Sequence, residues 1–294
     1  TLTPLAQAIK QHNRQLANEI FYSTRIPFRE VPDLDINVDK TNVMSHGAFG
    51  VVYKGKFDGQ DAAIEISHRP QVGYLNNQIE ILKQCPSPYL VQPLAVANLG
   101  TDDIKLALEF MDCGSLHKYL YDKRNGIPTK LDVSNFDIAW VIACGLADLH
   151  HNNVLHRDIK SPNVLLSTKH YIKITDLACS RVYDTEMTTG VGTLFWSAPE
   201  VFSLDGVYDY ACDIYSLGVV LSELSTLQPP YADLNTKSYQ LLNPIREGSL
   251  RPRVSESCEP WLRDLAERCL AFDPQQRPTA IQVIDFLRQV ATDH

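Results

Sequence analysis

Hydrophobic and polar positions follow two different periods along the chain. From residue 35 to residue 67 they alternate as in half-buried strands, and Asp58-Gly59 has the composition of a tight turn between two strands. Beyond Gly114 the spacing becomes helical. The helices predicted there cover residues 135–151, 210–225, 260–271 and 279–291. We therefore expect an α+β fold, in which a β-rich lobe precedes a helical lobe.

Shorter patterns complete the predicted layout. A helix is expected over residues 76–84, and apolar strands over residues 89–97 and 104–110. At the N-terminus, residues 4–21 carry apolar side chains at helical spacing, which predicts one amphipathic helix before Pro27 interrupts the pattern. Such a stripe usually covers part of a domain, and a regulatory or dimerising role is the alternative.

Composition narrows the class of protein. The chain has 294 residues, of which 44% are apolar, and its net charge of −8 argues against a nucleic-acid or anionic-membrane surface. Seven cysteines without a Cys-x-x-Cys pair predict neither a zinc site nor a disulfide framework, and they fit a reducing compartment. The sequence has neither a long apolar run nor a signal-peptide pattern. We expect a soluble, cytoplasmic protein that binds no nucleic acid and no membrane.

A glycine-rich turn lies near the start of the β-rich lobe. Gly47 and Gly50 would let backbone amides approach phosphate oxygens that a Cβ atom would block. Ser45 stands where a G-x-G-x-x-G pattern has its first glycine. Two glycines near a strand are common, so this motif alone is weak evidence for a nucleotide site.

The motifs farther along the chain are specific. Residues 156–163 read HRDIKSPN and match H-R-D-x-x-x-x-N, Asp176 follows, and residues 198–200 read Ala-Pro-Glu. Over about residues 35 to 290 the chain resembles the eukaryotic protein kinases, and among them the tyrosine-kinase-like group of Ser/Thr kinases. The resemblance implies a bilobal fold that binds ATP with Mg²⁺, or with Mn²⁺ in its place. The parts it implies are an N-terminal extension (1–34), an N-lobe (35–112) and a C-lobe (113–294).

The resemblance assigns the chemistry of phosphate transfer to four residues. Asp158 would accept or orient the proton of the substrate hydroxyl, because a carboxylate beside the attacking oxygen is the general base available there. Lys160 is the Ser/Thr-type feature and would steady the transferring phosphoryl group. Asn163 and Asp176 supply hard oxygen ligands for Mg²⁺. The implied substrate is a protein.

The resemblance also implies where the nucleotide lies. Residues 108–114 look like the hinge, where adenine bonds to the backbone and Leu108 is the gatekeeper. Val52, Ala63 and Leu165 would sandwich the ring, although each is equally an ordinary core residue. The residues expected around the nucleotide, besides the glycine-rich turn, are Val52, Ala63, Glu65, Gln78, Leu108, Glu109, Met111 and Leu165.

Other residues of the family pattern would regulate or brace the C-lobe. Arg157 would pair with a phosphate on the segment that follows Asp176. Glu200 and Arg277 would form a buried ion pair, and Asp213 would clamp the catalytic loop from below. The candidate phosphorylation sites are Thr185, Thr188, Thr189 and Thr193.

Glu65 departs from the family by reversing a charge. Residues 62–65, Ala-Ala-Ile-Glu, align on V-A-I-K, so Glu65 stands where a lysine contacts the α and β phosphates. Two opposite charges about 4 Å apart at an effective dielectric near 20 attract by roughly 4 kcal/mol before desolvation. An anion in place of that lysine removes the attraction and adds repulsion. We therefore expect impaired phosphate transfer.

Gln78 departs at the partner position, since it aligns with the glutamate that normally pairs with that lysine. A glutamine amide can donate to the Glu65 carboxylate, whereas a second glutamate would repel it, so the pair looks rebuilt rather than decayed. A shifted register would instead make Glu80 the paired acid. That Glu65 is an introduced inactivating substitution is a further alternative, against which Gln78 and Ala178 argue.

Residues 176–178 read Asp-Leu-Ala in place of D-F-G. Leu177 can fill the apolar slot of the aromatic residue at modest cost. Ala178 restricts φ relative to glycine, which should make a flip of this segment harder.

Three functions remain open. The favoured one is a pseudokinase that holds nucleotide weakly and signals through a protein partner, a partner kinase or a second copy of itself. The second is an active but atypical Ser/Thr kinase, in which Lys54, Lys56 or Lys160 supplies positive charge or Glu65 adds a Mg²⁺ ligand. The third is a small-molecule kinase of similar fold, against which the Pro199-Glu200 segment argues.

Overall fold

The protein is described by a computed structural model. It covers residues 1–46, 50–67, 72–182, 195–202, 208–234 and 238–292. The predicted sites at Gly47, Thr185, Thr188, Thr189 and Thr193 lie outside these residues.

The N-terminal extension contains two helices, α1 (Pro4–Lys10) and α2 (Arg14–Thr24). The chain breaks between them at His12, whose φ of 56° is left-handed, and Asn13 then caps α2 by accepting a hydrogen bond from a backbone N–H. The helical N-terminal extension is confirmed, but the prediction of one continuous helix over residues 4–21 is wrong. Asparagine favours the N-cap over the helix interior because its side chain competes for backbone hydrogen bonds.

The N-lobe is one sheet covered by one helix. Its strand order is β1-β5-β6-β4-β3-β2, and every neighbouring pair is antiparallel except β1 with β5. The predicted turn at Asp58-Gly59 is confirmed, since φ is 50° at the aspartate and 75° at the glycine. The elements are β1 (Arg29–Glu30), β2 (Ile36–His46), β3 (Gly50–Phe57), β4 (Gln60–Ser67), α3 (Val72–Gln84), β5 (Pro93–Ala97) and β6 (Lys105–Glu109).

The C-lobe is helical, with short strands around the cleft. Helix α5 has the predicted bounds, and α6, α8 and α9 end within two residues of theirs. Helices α4 and α7 were not predicted. Helix α7 contains Pro244, a residue that usually interrupts a helix, so its sequence does not look helical. The elements are β7 (Gly114–Ser115), α4 (Leu116–Arg124), α5 (Asn135–His151), β8 (Val154–Leu155), β9 (Val164–Ser167), β10 (Tyr171–Ile174), β11 (Arg181–Val182), α6 (Ala211–Thr226), α7 (Ser238–Arg246), α8 (Pro260–Cys269) and α9 (Ala280–Thr292).

A bidentate ion pair braces the C-lobe. Arg277 donates from both terminal nitrogens to the two carboxylate oxygens of Glu200, at 2.6 and 2.9 Å. Its remaining donors reach the backbone oxygens of Ala211, Ala271 and Phe272. The predicted pair is confirmed, and it ties the start of α6 to the loop before α9.

The extension is held to both lobes through Asp148 on α5. One carboxylate oxygen of Asp148 accepts from Arg14 at 2.7 Å, and the other accepts from Ser87 at 2.6 Å. Ser87 is fully buried and lies between α3 and β5. The three residues, named here the extension clamp, join α2, α5 and the loop that follows α3.

Replacement of Asp148 by alanine tests the clamp. The change leaves Arg14 and Ser87 without their acceptor in a largely enclosed place, so we expect Asp148→Ala to lower the free energy of unfolding by about 2 kcal/mol. Asp264→Ala is the control, because the side chains of Asp264 and Arg268 are 46% and 58% exposed and the change should cost less than about 0.5 kcal/mol. Equal losses in denaturant titrations of the two variants would contradict the clamp.

Candidate functional site

Asp213 of α6 holds the catalytic loop, residues 156–163, through hydrogen bonds. The two carboxylate oxygens of Asp213 accept from the backbone N–H of His156 at 2.9 Å and of Arg157 at 2.8 Å, and His150 Nε2 lies 2.9 Å away. Burial alone would raise the pKa of Asp213, but the hydrogen bond from His150 and nearby positive charge lower it. The predicted clamp is confirmed. It holds Arg157 at a φ of 67°.

Three of the predicted catalytic residues are brought together directly after this anchor. Lys160 Nζ lies 2.7 Å from Asp158 Oδ2. Asn163 donates from its side-chain nitrogen to the backbone oxygen and to Oδ2 of Asp158, both at 2.9 Å. The side-chain oxygen of Asn163 makes neither of these bonds and can serve as a ligand. Asp158 is thus oriented by two neighbours, as proton handling requires.

Asp176 completes the C-lobe side of the cleft. Its φ is 66°, and its Oδ1 accepts from the Ala178 backbone N–H at 3.4 Å. Burial and the nearby Asp158 carboxylate raise the pKa of Asp176. Burial lowers the pKa of the neighbouring His156, and the carboxylates of Asp213, Asp158 and Asp176 oppose that shift.

The oxygen atoms of Asn163 and Asp176 fit Mg²⁺. Over the described ranges, His, Cys, Asp and Glu side chains do not form a group of three or more arranged to hold a metal ion. Mg²⁺ needs no such group, because it usually takes one or two carboxylates and completes its octahedron with phosphate and water. Two hard oxygen donors are therefore adequate for such an ion.

The segment after Asp176 is packed rather than strained. Leu177 and Ala178 are 2% and 3% exposed, and Ala178 is not among the residues with positive φ in the described chain. Alanine therefore replaces the family's glycine without backbone strain in this conformation. Asn77 of α3 donates to the backbone oxygens of Ala178 at 3.3 Å and Ser180 at 2.7 Å. Sequence reasoning missed Asn77, which no motif marks.

Glu65 and Gln78 face each other across the N-lobe. Gln78 Nε2 donates to Glu65 Oε2 at 2.8 Å, so the hydrogen bond expected from the sequence is present. Gln78 is 2% exposed. Glu80 is exposed and pairs with Lys83 at 2.9 Å, so the shifted register is wrong. The residue of α3 that meets β4 is glutamine.

The electrostatics at Glu65 are unusual. Burial raises the pKa of the Glu65 carboxyl to about 7, the Asp176 carboxylate adds to the shift, and the hydrogen bond from Gln78 opposes it. In the described part of the chain neither Glu65 nor Asp176 forms an ion pair. The side-chain oxygen of Gln78 is buried and accepts no hydrogen bond there.

Among the residues expected around the nucleotide, one hinge side chain is already engaged. Glu109 accepts from Lys173 Nζ at 2.5 Å and from the Gln92 backbone N–H at 2.8 Å. Lys173 is 2% exposed, so this ion pair is buried behind the hinge and leaves only the Glu109 backbone for a ligand. The other expected residues are either half-buried, as are Val52, Ala63 and Leu165, or buried, as are Leu108 and Met111.

Neither Lys54 nor Ser45 supplies the positive charge that the family's lysine would bring to the position of Glu65. Lys54 Nζ pairs with Asp61 at 2.9 Å and sits 4.8 Å from the centre of the Phe110 ring, at the hinge end of the sheet. Ser45 is exposed on β2 opposite Val52. Lys54 is thus engaged away from the Glu65 side chain.

This fold and this site define a protein kinase domain. The family model described as "Protein kinase domain" matches residues 38–286, so the chain belongs to this family, as its motifs predicted. Serine/threonine-protein kinase STY46 of Arabidopsis thaliana is 30% identical over 257 residues, 85% of this chain and 44% of the relative. Serine/threonine-protein kinase CTR1 of the same plant is 28% identical over 270 residues, 88% of this chain and 32% of the relative.

A relative from another organism is similar to nearly the whole chain. The RGS domain-containing serine/threonine-protein kinase A of Dictyostelium discoideum is 28% identical over 292 residues, 97% of this chain and 24% of the relative. The chain spans less than half the length of each of these three relatives. Within the described residues, no helix has the length and apolar character needed to cross a membrane.

The stability of Glu65→Gln should depend on pH. The folded pKa of Glu65 is raised from its ordinary 4.5 to about 7, so ionising this carboxyl destabilises the fold increasingly as the pH rises through that window. In metal-free buffer we expect Glu65→Gln to gain about 2 kcal/mol more over the natural chain at pH 8 than at pH 5.

Glu80→Gln serves as the control for that measurement, because Glu80 is exposed on the same helix as Gln78. Denaturant titrations at both pH values give the comparison. A gain of the same size at pH 5 and pH 8 would show that the Glu65 carboxyl is not perturbed.

Proposed function

We propose that this domain is a pseudokinase: it binds ATP or another nucleotide weakly with Mg²⁺ or Mn²⁺, transfers phosphate poorly or not at all, and signals through a protein partner. The observation that carries the proposal is the hydrogen bond from Gln78 to Glu65. Where the family places an ammonium group against the α and β phosphates, this chain places a carboxyl held by a neutral amide.

The two lobes contribute unequally to the chemistry. Asn163 and Asp176 would hold the metal ion, which supplies charge neutralisation at the phosphates when it is bound. Asp158 would orient a substrate hydroxyl and Lys160 would steady the outer phosphate. Glu65 opposes the inner phosphates, because two anions of like charge repel across a low-dielectric cleft. Positioning therefore fails on the N-lobe side, although the proton-handling side is formed.

An active, atypical Ser/Thr kinase is the second candidate, and a specific observation favours it. Asp158, Lys160 and Asn163 are joined by short hydrogen bonds of 2.7 and 2.9 Å, a geometry that a chain without catalytic use need not keep. The relatives carry serine/threonine kinase names, which supports the same candidate.

Phosphate transfer from ATP with Mg²⁺ or Mn²⁺ separates the two candidates. We expect the natural chain and Asp158→Asn to label a general protein substrate equally, at background, because the inner phosphates are not anchored. A thermal shift with ATP and metal, run in parallel, reports nucleotide binding independently of transfer. Labelling that disappears only in Asp158→Asn would establish the active kinase and refute the pseudokinase.

Restoration of the lysine should require restoration of its partner. Glu65→Lys alone would place an ammonium group beside the Gln78 amide, which offers it a carbonyl oxygen but no charge, so we expect little activity. The double variant Glu65→Lys with Gln78→Glu rebuilds an ion pair at the same place and should exceed the single variant at least tenfold, a difference of about 1.4 kcal/mol in the barrier.

Two controls complete this comparison. Asp158→Asn introduced into the double variant should abolish any gain, which excludes a contaminating kinase. Thermal unfolding of each variant shows that it is folded. Robust transfer by Glu65→Lys alone would contradict the view that Glu65 and Gln78 act as a rebuilt pair.

A further inference from the structure

We propose that Glu65, Asp176 and the side-chain oxygen of Gln78 bind a divalent cation, Mg²⁺ or Mn²⁺, which stands where the family has its lysine ammonium. This ion is additional to the one expected on Asn163 and Asp176 with nucleotide, and it binds before any nucleotide is present. The proposal deepens the nucleotide binding proposed above but does not require phosphate transfer.

The carboxylates of Glu65 and Asp176 favour the binding of a cation between the lobes. The Asp176 carboxylate of the C-lobe lies close enough to Glu65 of the N-lobe to help raise the pKa of the Glu65 carboxyl. In the described residues around them, the ammonium group of Lys160 is paired with Asp158, and Lys54 is held by Asp61. Lys160 favours the charged form of Asp176, whereas no cationic side chain of the described residues lowers the pKa of Glu65, so a metal ion beside Glu65 would supply the missing positive charge.

Gln78 supplies the observation that points to a ligand rather than to a bare acidic pair. Its amide is 2% exposed and donates through nitrogen to Glu65, whereas its oxygen has no partner among the described residues. A buried acceptor without a hydrogen bond destabilises the fold. A cation that contacts both the Glu65 carboxylate and the Gln78 amide oxygen would give that oxygen a partner.

The donor chemistry selects the kind of ion. Two carboxylates and an amide oxygen are hard ligands, which suit Mg²⁺ or Mn²⁺ rather than the softer ions that prefer nitrogen or sulfur. Three protein oxygens leave coordination positions for water, and later for the oxygens of the inner phosphates. The cation would thereby offset the repulsion between the Glu65 carboxylate and the inner phosphates, which permits weak nucleotide binding without the fixed contact that a lysine makes.

The location also gives the ion a mechanical role. Glu65 belongs to β4, Gln78 to α3 and Asp176 to the C-lobe. An ion shared by these three would draw the lobes together and hold α3 against the sheet. Nucleotide binding should consequently depend on divalent cation more steeply than one ion at Asn163 and Asp176 would require.

Mn²⁺ binding without nucleotide tests the proposal. Electron paramagnetic resonance of free Mn²⁺, in chelator-treated buffer at pH 8, gives the affinity and the number of ions per chain. We expect one ion on the natural chain and a loss of affinity of roughly tenfold or more in Glu65→Gln and in Gln78→Leu. Gln78→Leu keeps both carboxylates, so its loss cannot come from reduced acid charge, and it provides a second variant if Glu65→Gln does not fold.

Glu80→Gln is the matched control, since it removes a carboxylate from the exposed side of α3 and should leave Mn²⁺ affinity unchanged. The proposal is overturned if the natural chain binds no Mn²⁺, if Glu80→Gln weakens binding as much as Glu65→Gln, or if the bound ion depends on Asn163 but not on Glu65. Because no nucleotide is present, each of these outcomes leaves the proposed pseudokinase function to be decided separately by the transfer assay.

Discussion

The hydrogen bond between Gln78 and Glu65 fixes α3 against the sheet, and the shape of the cleft depends on it. A hydrogen bond within a protein contributes roughly 0.5–1.5 kcal/mol, and more when its acceptor is charged, as Glu65 becomes above the raised pKa of about 7. The neighbouring Asn77 binds the backbone of Ala178 and Ser180. One turn of α3 therefore holds both the sheet and the segment after Asp176, without the charge pair that the family uses for this purpose.

The other half of the site rests on a different support. Asp213, 0% exposed within the C-lobe core, holds the catalytic loop through its backbone N–H groups. Nothing in this contact passes through Glu65 or Gln78. The catalytic loop can thus keep its geometry whatever residues stand at positions 65 and 78, so the order of Asp158 favours activity but does not decide it. The decisive residues are those of the N-lobe.

Sequence alone predicted the contacts whose residues belong to a spaced motif. Glu65 with Gln78, Glu200 with Arg277 and the Asp213 clamp were all expected from such motifs, and the structure contains them. The pairs Glu109 with Lys173 and Arg14 with Asp148 were not expected. Their residues lie 64 and 134 positions apart, and each alone looks like an ordinary surface charge. Only the folded chain brings them together.

The break between α1 and α2 is a different kind of failure, because Asn13 followed by a helical stretch is a cap signal that was present in the sequence. The correction matters for α3. Helix α2 carries Arg14, which reaches Asp148 and through it Ser87, immediately after α3. Helix α3 is therefore held at two points, by Gln78 and Asn77 along its length and by the extension clamp beyond its end. The extension and the Glu65 side of the cleft thus contact different parts of the same structural unit, α3 with the loop that follows it.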